Sequence, residues 1–179
     1  GRMLDAGCGL GEHTILLTRL GYDVLGIDFA PSAVEQARAN AVAKGVDARF
    51  EVGDAMSLGA EPGYDTIIDS ALFHIFDDAD RARYVASLHR ALRPGGSLHV
   101  LALSDAGRGF GPQVSEAQIR TAFAADERSR EEHALRWNLE ALETTTYRGV
   151  VGEAHSEALG LAVGTRVDEP AWLARARRV

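Results

Sequence analysis

The chain has 179 residues, 46% of them hydrophobic, which suffices to bury a full core within one domain. Nineteen Lys and Arg against twenty-six Asp and Glu leave a net charge of −7, a field that repels a nucleic-acid backbone and favours small-molecule partners. No apolar run long enough for a membrane span and no basic-then-apolar leader is present, and the single Cys8 excludes an internal disulfide and a cysteine zinc cluster, so a soluble cytoplasmic protein is expected.

Strand and helix signals alternate along the chain. Arg2 to Ala6 reads as a first strand, and Ile15, Leu16, Leu17 and Leu20 recur at helical spacing from Glu12 until Gly21. Asp23 to Asp28 is the second strand. Pro31 suits a first helical turn, and Val34, Ala37 and Ala41 carry that helix towards Gly45. Residues 48–52 form the third strand, ended by Gly53-Asp54, and the β-branched run Tyr64 to Ser70 is a buried fourth. Asp77-Asp78 precede a helix over 80–92, which Pro94-Gly95-Gly96 breaks before a fifth strand at 97–103.

The remainder is less regular. Residues 104–112 read as a loop, and Ser115-Glu116 open a helix running through Phe123. A sixth strand is expected within 133–147, beginning no earlier than His133. A seventh is expected at 172–178, with Leu173 inside and the arginines outside. Between them, 149–170 reads as loops with a short helix at most. The whole chain, residues 1–179, is expected to be one domain. The terminal cluster Arg175, Arg177 and Arg178 reads as a solvated strand end.

Alternating strands and helices predict an α/β protein with a doubly wound, mostly parallel sheet and helices on both faces, whose ligand sits beyond the carboxyl ends of the strands where strand order reverses. Asp5, Asp28, Asp54, Asp69 and Asp105 all fall at or just past strand ends on that rim. Gly7, Gly9 and Gly11 allow close backbone approach to a ligand. Asp28 lies twenty-three residues after Asp5, near the spacing at which a second-strand acid accepts from ribose hydroxyls, and Asp54 is placed to accept from an exocyclic amine. A nicotinamide dehydrogenase would need a third glycine where Glu12 stands, so the GxGxG spacing argues against one.

The series LDAGCGLGEHT, VLGIDFAPSAVEQAR, RFEVGDAMSL, YDTIIDSALFHIF and LHRALRPGGSLHVLAL resembles the class I S-adenosylmethionine-dependent methyltransferases, motif by motif, over residues 2 to about 104. The resemblance implies a Rossmann-like, seven-stranded αβα sandwich with an antiparallel last strand. By position, Asp5, Gly7, Cys8, Gly9 and Gly11 inherit the methionine end of S-adenosylmethionine, and His13 either contacts its carboxylate or caps the following helix. Asp28 inherits the ribose and Asp54 the adenine amine; Phe29 and Ala55 flank the base, and Asp69 and Ser70 line the meeting point of donor and acceptor. The acceptor would be a small molecule, the transfer to sulfur, nitrogen, oxygen or a halide, and the enzyme a monomer or homodimer. LALSDAGRGFGP, VSEAQIRTAF and PAWLARARR are similar to the thiopurine-methyltransferase-like branch. Such enzymes carry a helical segment before strand one, absent or unseen in a sequence that begins at Gly1.

Direct displacement at a sulfonium methyl needs alignment and exclusion of water more than a base. For a hydroxyl acceptor, His74 is the first candidate base and Asp69 the second; the plainer reading of His74 is a packed histidine among Phe73, Ile75 and Phe76. Cys8 reads as a small residue filling the turn. Phe110, on a glycine-rich loop, is placed to cover an acceptor. No metal is expected, because Asp69 and Asp105 lack a third ligand-spaced partner. A cofactor-binding protein of the same fold without catalysis is the alternative from another class.

Overall fold

Asp and Gly punctuate short runs of Leu, Ile and Val, and these runs become the central strands of a single sheet. The computed structural model describes residues 1–59, 63–124 and 135–179. Its strands are Arg2–Ala6 (β1), Asp23–Asp28 (β2), Arg49–Val52 (β3), Tyr64–Ser70 (β4), Leu92–Leu103 (β5), Trp137–Val150 (β6) and Arg166–Arg178 (β7). The helices are Glu12–Arg19 (α1), Pro31–Ala43 (α2), Asp78–Ala91 (α3), Glu116–Ala122 (α4) and Glu153–Leu159 (α5). Pro31 begins α2, the Asp77 carboxylate accepts the Asp80 N–H at the start of α3, and Ser115 and Gln118 cap α4 reciprocally.

The strand order is β3-β2-β1-β4-β5-β7-β6. Strands β1 to β5 pair in parallel, and β7 runs antiparallel to both β5 and β6. The chain therefore winds one way from β1 to β3 and the other way from β4, and the reversal falls between β1 and β4. Leu4, Ile27, Ile67, Leu98 and Val100 bury one face of the sheet against Tyr84 and Leu88 of α3 and Ile119 of α4. On the other face, Phe50 packs with Ile15 of α1 and Val34, Ala37 and Ala41 of α2. Each such side chain contributes about 1.5–3 kcal/mol by leaving water. No helix among the described residues is long and apolar enough to cross a membrane.

Three expectations change. Pro94-Gly95-Gly96 does not precede β5 but lies within it: Leu92 already pairs with Tyr64, and a register shift after Tyr64 absorbs the intervening residues before Ser97 pairs with Thr66. Leu173 is outside, 42% exposed, because Ala174 and Ala176 pair with the core residues Val100 and Leu98 and strand alternation turns Leu173 to the opposite face. The last two strands are longer than their local patterns indicate, and 149–170 contains α5 and the start of β7. His133 lies outside the described residues.

The terminal arginines are absorbed by the fold. Arg175 and Arg177 both pair with Glu140, and Arg178 donates to the carbonyls of His89, Arg90 and Leu92 around the carboxyl end of α3, where a cation is favoured.

Gly11 marks where the fold is least tolerant near the rim. Its φ is +83°, and an added Cβ would stand 2.7 Å from Phe50 and 2.9 Å from Ala37. Gly11→Ala is expected to cost about 2–4 kcal/mol from left-handed strain plus overpacking, read as a lower denaturation midpoint at unchanged slope.

Candidate active site

The rim at the strand reversal holds a cleft of about 540 Å³, within the range of small-molecule sites. One wall is Gly7, Asp28, Phe29 and Ala30; the second is Gly53, Asp54, Ala55 and Met56; the third is Ala71, Leu72, Ile75 and Phe76. These come from the turns after β1, β2, β3 and β4, which are distant in sequence and adjacent in the sheet. Phe29 and Ile75 are 77% and 51% exposed, leaving apolar surface open at the mouth.

The turn after β1 is fixed from both sides. Cys8 N–H donates to the Ile27 carbonyl at 2.8 Å, and Gly9 N–H donates to Asp28 Oδ2 at 2.9 Å. The other Asp28 oxygen accepts the Ala30 N–H at 2.9 Å. Gly9 has φ +51° and nothing within 4 Å of where a Cβ would sit, so the backbone there is bare towards the open side. Asp54 accepts the Met56 N–H at 2.9 Å and so starts the 3-10 turn Ala55–Ser57; Ala55 itself is buried.

Two further carboxylates lie beneath the rim. Asp5 is 1% exposed and accepts the Thr14 hydroxyl at 2.6 Å; burial raises its pKa, with the Thr14 hydrogen bond opposing. Asp69 is 2% exposed, and its oxygens accept Leu72 N–H at 2.9 Å, Phe73 N–H at 3.3 Å and Tyr84 Oη–H at 2.8 Å. Burial pushes Asp69 up to about 7 against those three hydrogen bonds. Tyr84, which sequence periodicity assigns to the helix core, is thus a partner of the site; nothing in its spacing signals the contact. Ala71, directly after β4, holds φ +75°, a strained conformation for a residue with a side chain.

The sequence-named residues separate into groups. Gly7, Asp28, Phe29, Asp54 and Ala55 share the cleft, with Gly9 in the same turn. Asp5 and Asp69 lie under it, and Ser70 ends β4 half-buried. His13 is exposed on a separate depression with Glu12, Leu16, Arg19 and Lys44. His74 is 6% exposed; its Nδ1 accepts the Leu103 N–H at 3.0 Å, which leaves Nε2 carrying the proton of the neutral ring, and burial lowers its pKa. Phe110 stacks on His155 at 4.8 Å between ring centroids. The residues that sequence reading missed, Met56, Ala71, Leu72 and Phe76, are apolar and carry no spacing signal. Among the described residues no group of three or more His, Cys, Asp or Glu is placed to hold a metal ion.

Cys8 is buried, and burial, followed by the negative charges of Asp5 and Asp28, pushes its thiol up to about 12. Folded protein at neutral pH should therefore resist a thiol alkylating reagent, with labelling by mass spectrometry appearing only on unfolding.

The chain matches known proteins along most of its length. A 2-heptyl-1-hydroxyquinolin-4(1H)-one methyltransferase of Mycobacteroides abscessus is 35% identical over 128 residues, 67% of this chain and 56% of that protein. A structure described under the conversion of a disulfide bond into a thioacetal group during echinomycin biosynthesis is 35% identical, with a TM-score of 0.82 over 99% of this chain and 75% of that one. Magnesium protoporphyrin IX methyltransferase from Synechocystis PCC 6803, solved with bound S-adenosylmethionine, shares the fold at 19% identity and a TM-score of 0.66, over 99% of this chain and 70% of that one. The chain spans about half the length of the curated relatives it matches. Residues 3–96 match the methyltransferase domain family, and with more than half its length inside that match the chain belongs to it.

Proposed function

We propose that the protein is an S-adenosylmethionine-dependent methyltransferase acting on a small-molecule nucleophile by direct displacement. The observation that carries this reading is Asp28, whose two oxygens are braced by Gly9 and Ala30 N–H groups at one wall of a cleft that Asp54 enters from another. A carboxylate so held keeps lone pairs for a vicinal diol, the grip expected on a ribose. Asp54 is free on one oxygen to accept from an adenine amine, and Phe29, Met56 and Leu72 supply apolar surface for the ring. The bare backbone at Gly9 admits the methionine end. When bound, the donor supplies a methyl group on a cationic sulfur that any aligned lone pair can take.

The acceptor class follows from what the cleft lacks. Among the described residues, the titratable side chains lining it are Asp28 and Asp54, each already accepting backbone N–H bonds, and His74 is committed to Leu103. A nucleophile that needs no base fits such a site: a thiolate, a halide or an acidic hydroxyl. This supports the thiopurine-methyltransferase-like branch as the finer assignment. One similar protein is named for a hydroxyquinolinone, and one similar structure for the conversion of a disulfide bond into a thioacetal group. In this reading His74 is a positioning residue that fixes the end of β5.

Calorimetry should show binding of both S-adenosylmethionine and its demethylated product, and no heat with either would overturn the proposal. Asp28→Ala should weaken both by about 1–3 kcal/mol, the cost of stranding polar partners. His74→Ala should lower stability and slow thiolate and oxygen acceptors alike in a mixed panel followed by mass spectrometry; a loss confined to oxygen would restore His74 as a base.

A further inference from the structure

Asp5 and Asp69 stand at the ends of the two central strands, where Asp69 pairs in register with Ala6, the residue after Asp5. Both are essentially without solvent, and the partners of both are neutral: Thr14 for Asp5, and Leu72, Phe73 and Tyr84 for Asp69. Among the described residues no Lys or Arg forms an ion pair with either carboxylate. Buried carboxylates without a counter-charge are costly when ionised, so they hold a proton or await a cation. Asp69 is joined to the open cleft by one hydrogen bond, since Leu72, whose N–H it accepts, lines the wall.

Resting on the methyl-donor reading above, we infer that Asp69 is a charge sensor under the cleft: a cationic sulfonium in the cleft draws it into the ionised state with release of a proton, and the neutral thioether product lets the proton return. The three donors around Asp69 are the provision for its charged form, and the missing counter-charge is the one the ligand brings.

Arg81, the buried cation one turn before Tyr84 on α3, donates to Asp78 and to the Phe76 carbonyl rather than to Asp69. Tyr84 on α3 donates to it and Asp5 on β1 repels its charge; Asp5 in turn feels His13 and Asp28. Val100, its neighbour on β5, carries no charge. His74, on the turn that Asp69 caps, is held by Leu103 and titrates below its ordinary range. Burial places Asp69 at about 7, and a nearby cation lowers that value. The sign follows: donor affinity rises with pH from the bound-state pKa up to about 7 and is level above it. Each unit by which the ligand lowers Asp69 is an about tenfold gain between the acid and alkaline limits.

S-adenosylmethionine and S-adenosylhomocysteine differ at the sulfur charge, so the pair isolates the effect. Dissociation constants for both, measured by calorimetry from about pH 5.5 to about pH 8.5 in buffers of different ionisation heat, should show the donor tightening with proton release and the product unchanged. Asp69→Asn retains an acceptor for Leu72 and Phe73 and should flatten the donor profile; Tyr84→Phe, removing a bond that holds the pKa down, should move its midpoint to higher pH. Equal slopes for the two ligands, or a donor slope that survives Asp69→Asn, would overturn the sensor while leaving the methyl-donor reading intact. No binding of either ligand at any pH overturns that reading and the sensor with it.

Discussion

The hydrogen bond from Gly9 N–H to the Asp28 carboxylate is the constraint on which the cleft depends. It joins the turn leaving β1 to the tip of β2, and with Cys8 N–H on the Ile27 carbonyl it leaves that turn no freedom to swing into the ligand's space. Because the second Asp28 oxygen takes the first free N–H ahead of α2, one side chain sets two strand-to-helix crossings at once. The same residue is then both the brace of the cleft and part of its wall. Structure and binding are coupled there, and a change at Asp28 acts on both.

Charge is distributed to match. Several surface arginines are engaged away from the rim: Arg175 and Arg177 with Glu140, Arg148 with Asp168, Arg49 with Asp23. Exposed pairs of this kind contribute little stability, but they remove positive charge from the reach of the cleft. At the cleft stand the half-buried Asp28 and the exposed Asp54, with Asp5 and Asp69 buried beneath.

Much of this was legible in the sequence, for identifiable reasons. Strand ends and glycine turns are local features, so β1, β2 and β4 were placed by short runs of Leu, Ile and Val bounded by Asp and Gly, and the cleft residues Gly7, Asp28 and Asp54 followed from their positions after strands. The failures come from partners remote in sequence. Leu173 is more hydrophobic than its neighbours, yet its facing is set by pairing of Ala174 and Ala176 with β5, which no local pattern encodes. Tyr84 and Asp69 are fifteen residues apart, and their bond depends on how α3 lies across β4. The packed reading of His74 was open to the sequence, but its partner, the Leu103 N–H on β5, was not.

The edge beyond β5 is built by different means from the cleft. Strand β7 pairs with β5 only as far as Ala171 opposite Leu103, so Arg166 to Pro170, paired with β6, stand beyond the end of β5 as a raised edge. From that edge the buried Glu169 accepts the Arg108 backbone N–H at 3.0 Å and its Nε at 2.8 Å, which ties down a loop whose glycines suggest freedom. Phe110 of the same loop lies against Gly149 and stacks on His155. A charge buried as deeply as Glu169 with Arg108 as its cation makes that tether costly to break. The cleft rests on backbone N–H groups and glycines, whereas the edge beyond β5 rests on side chains from a distant hairpin, so substitution can reshape that edge without disturbing the turn after β1.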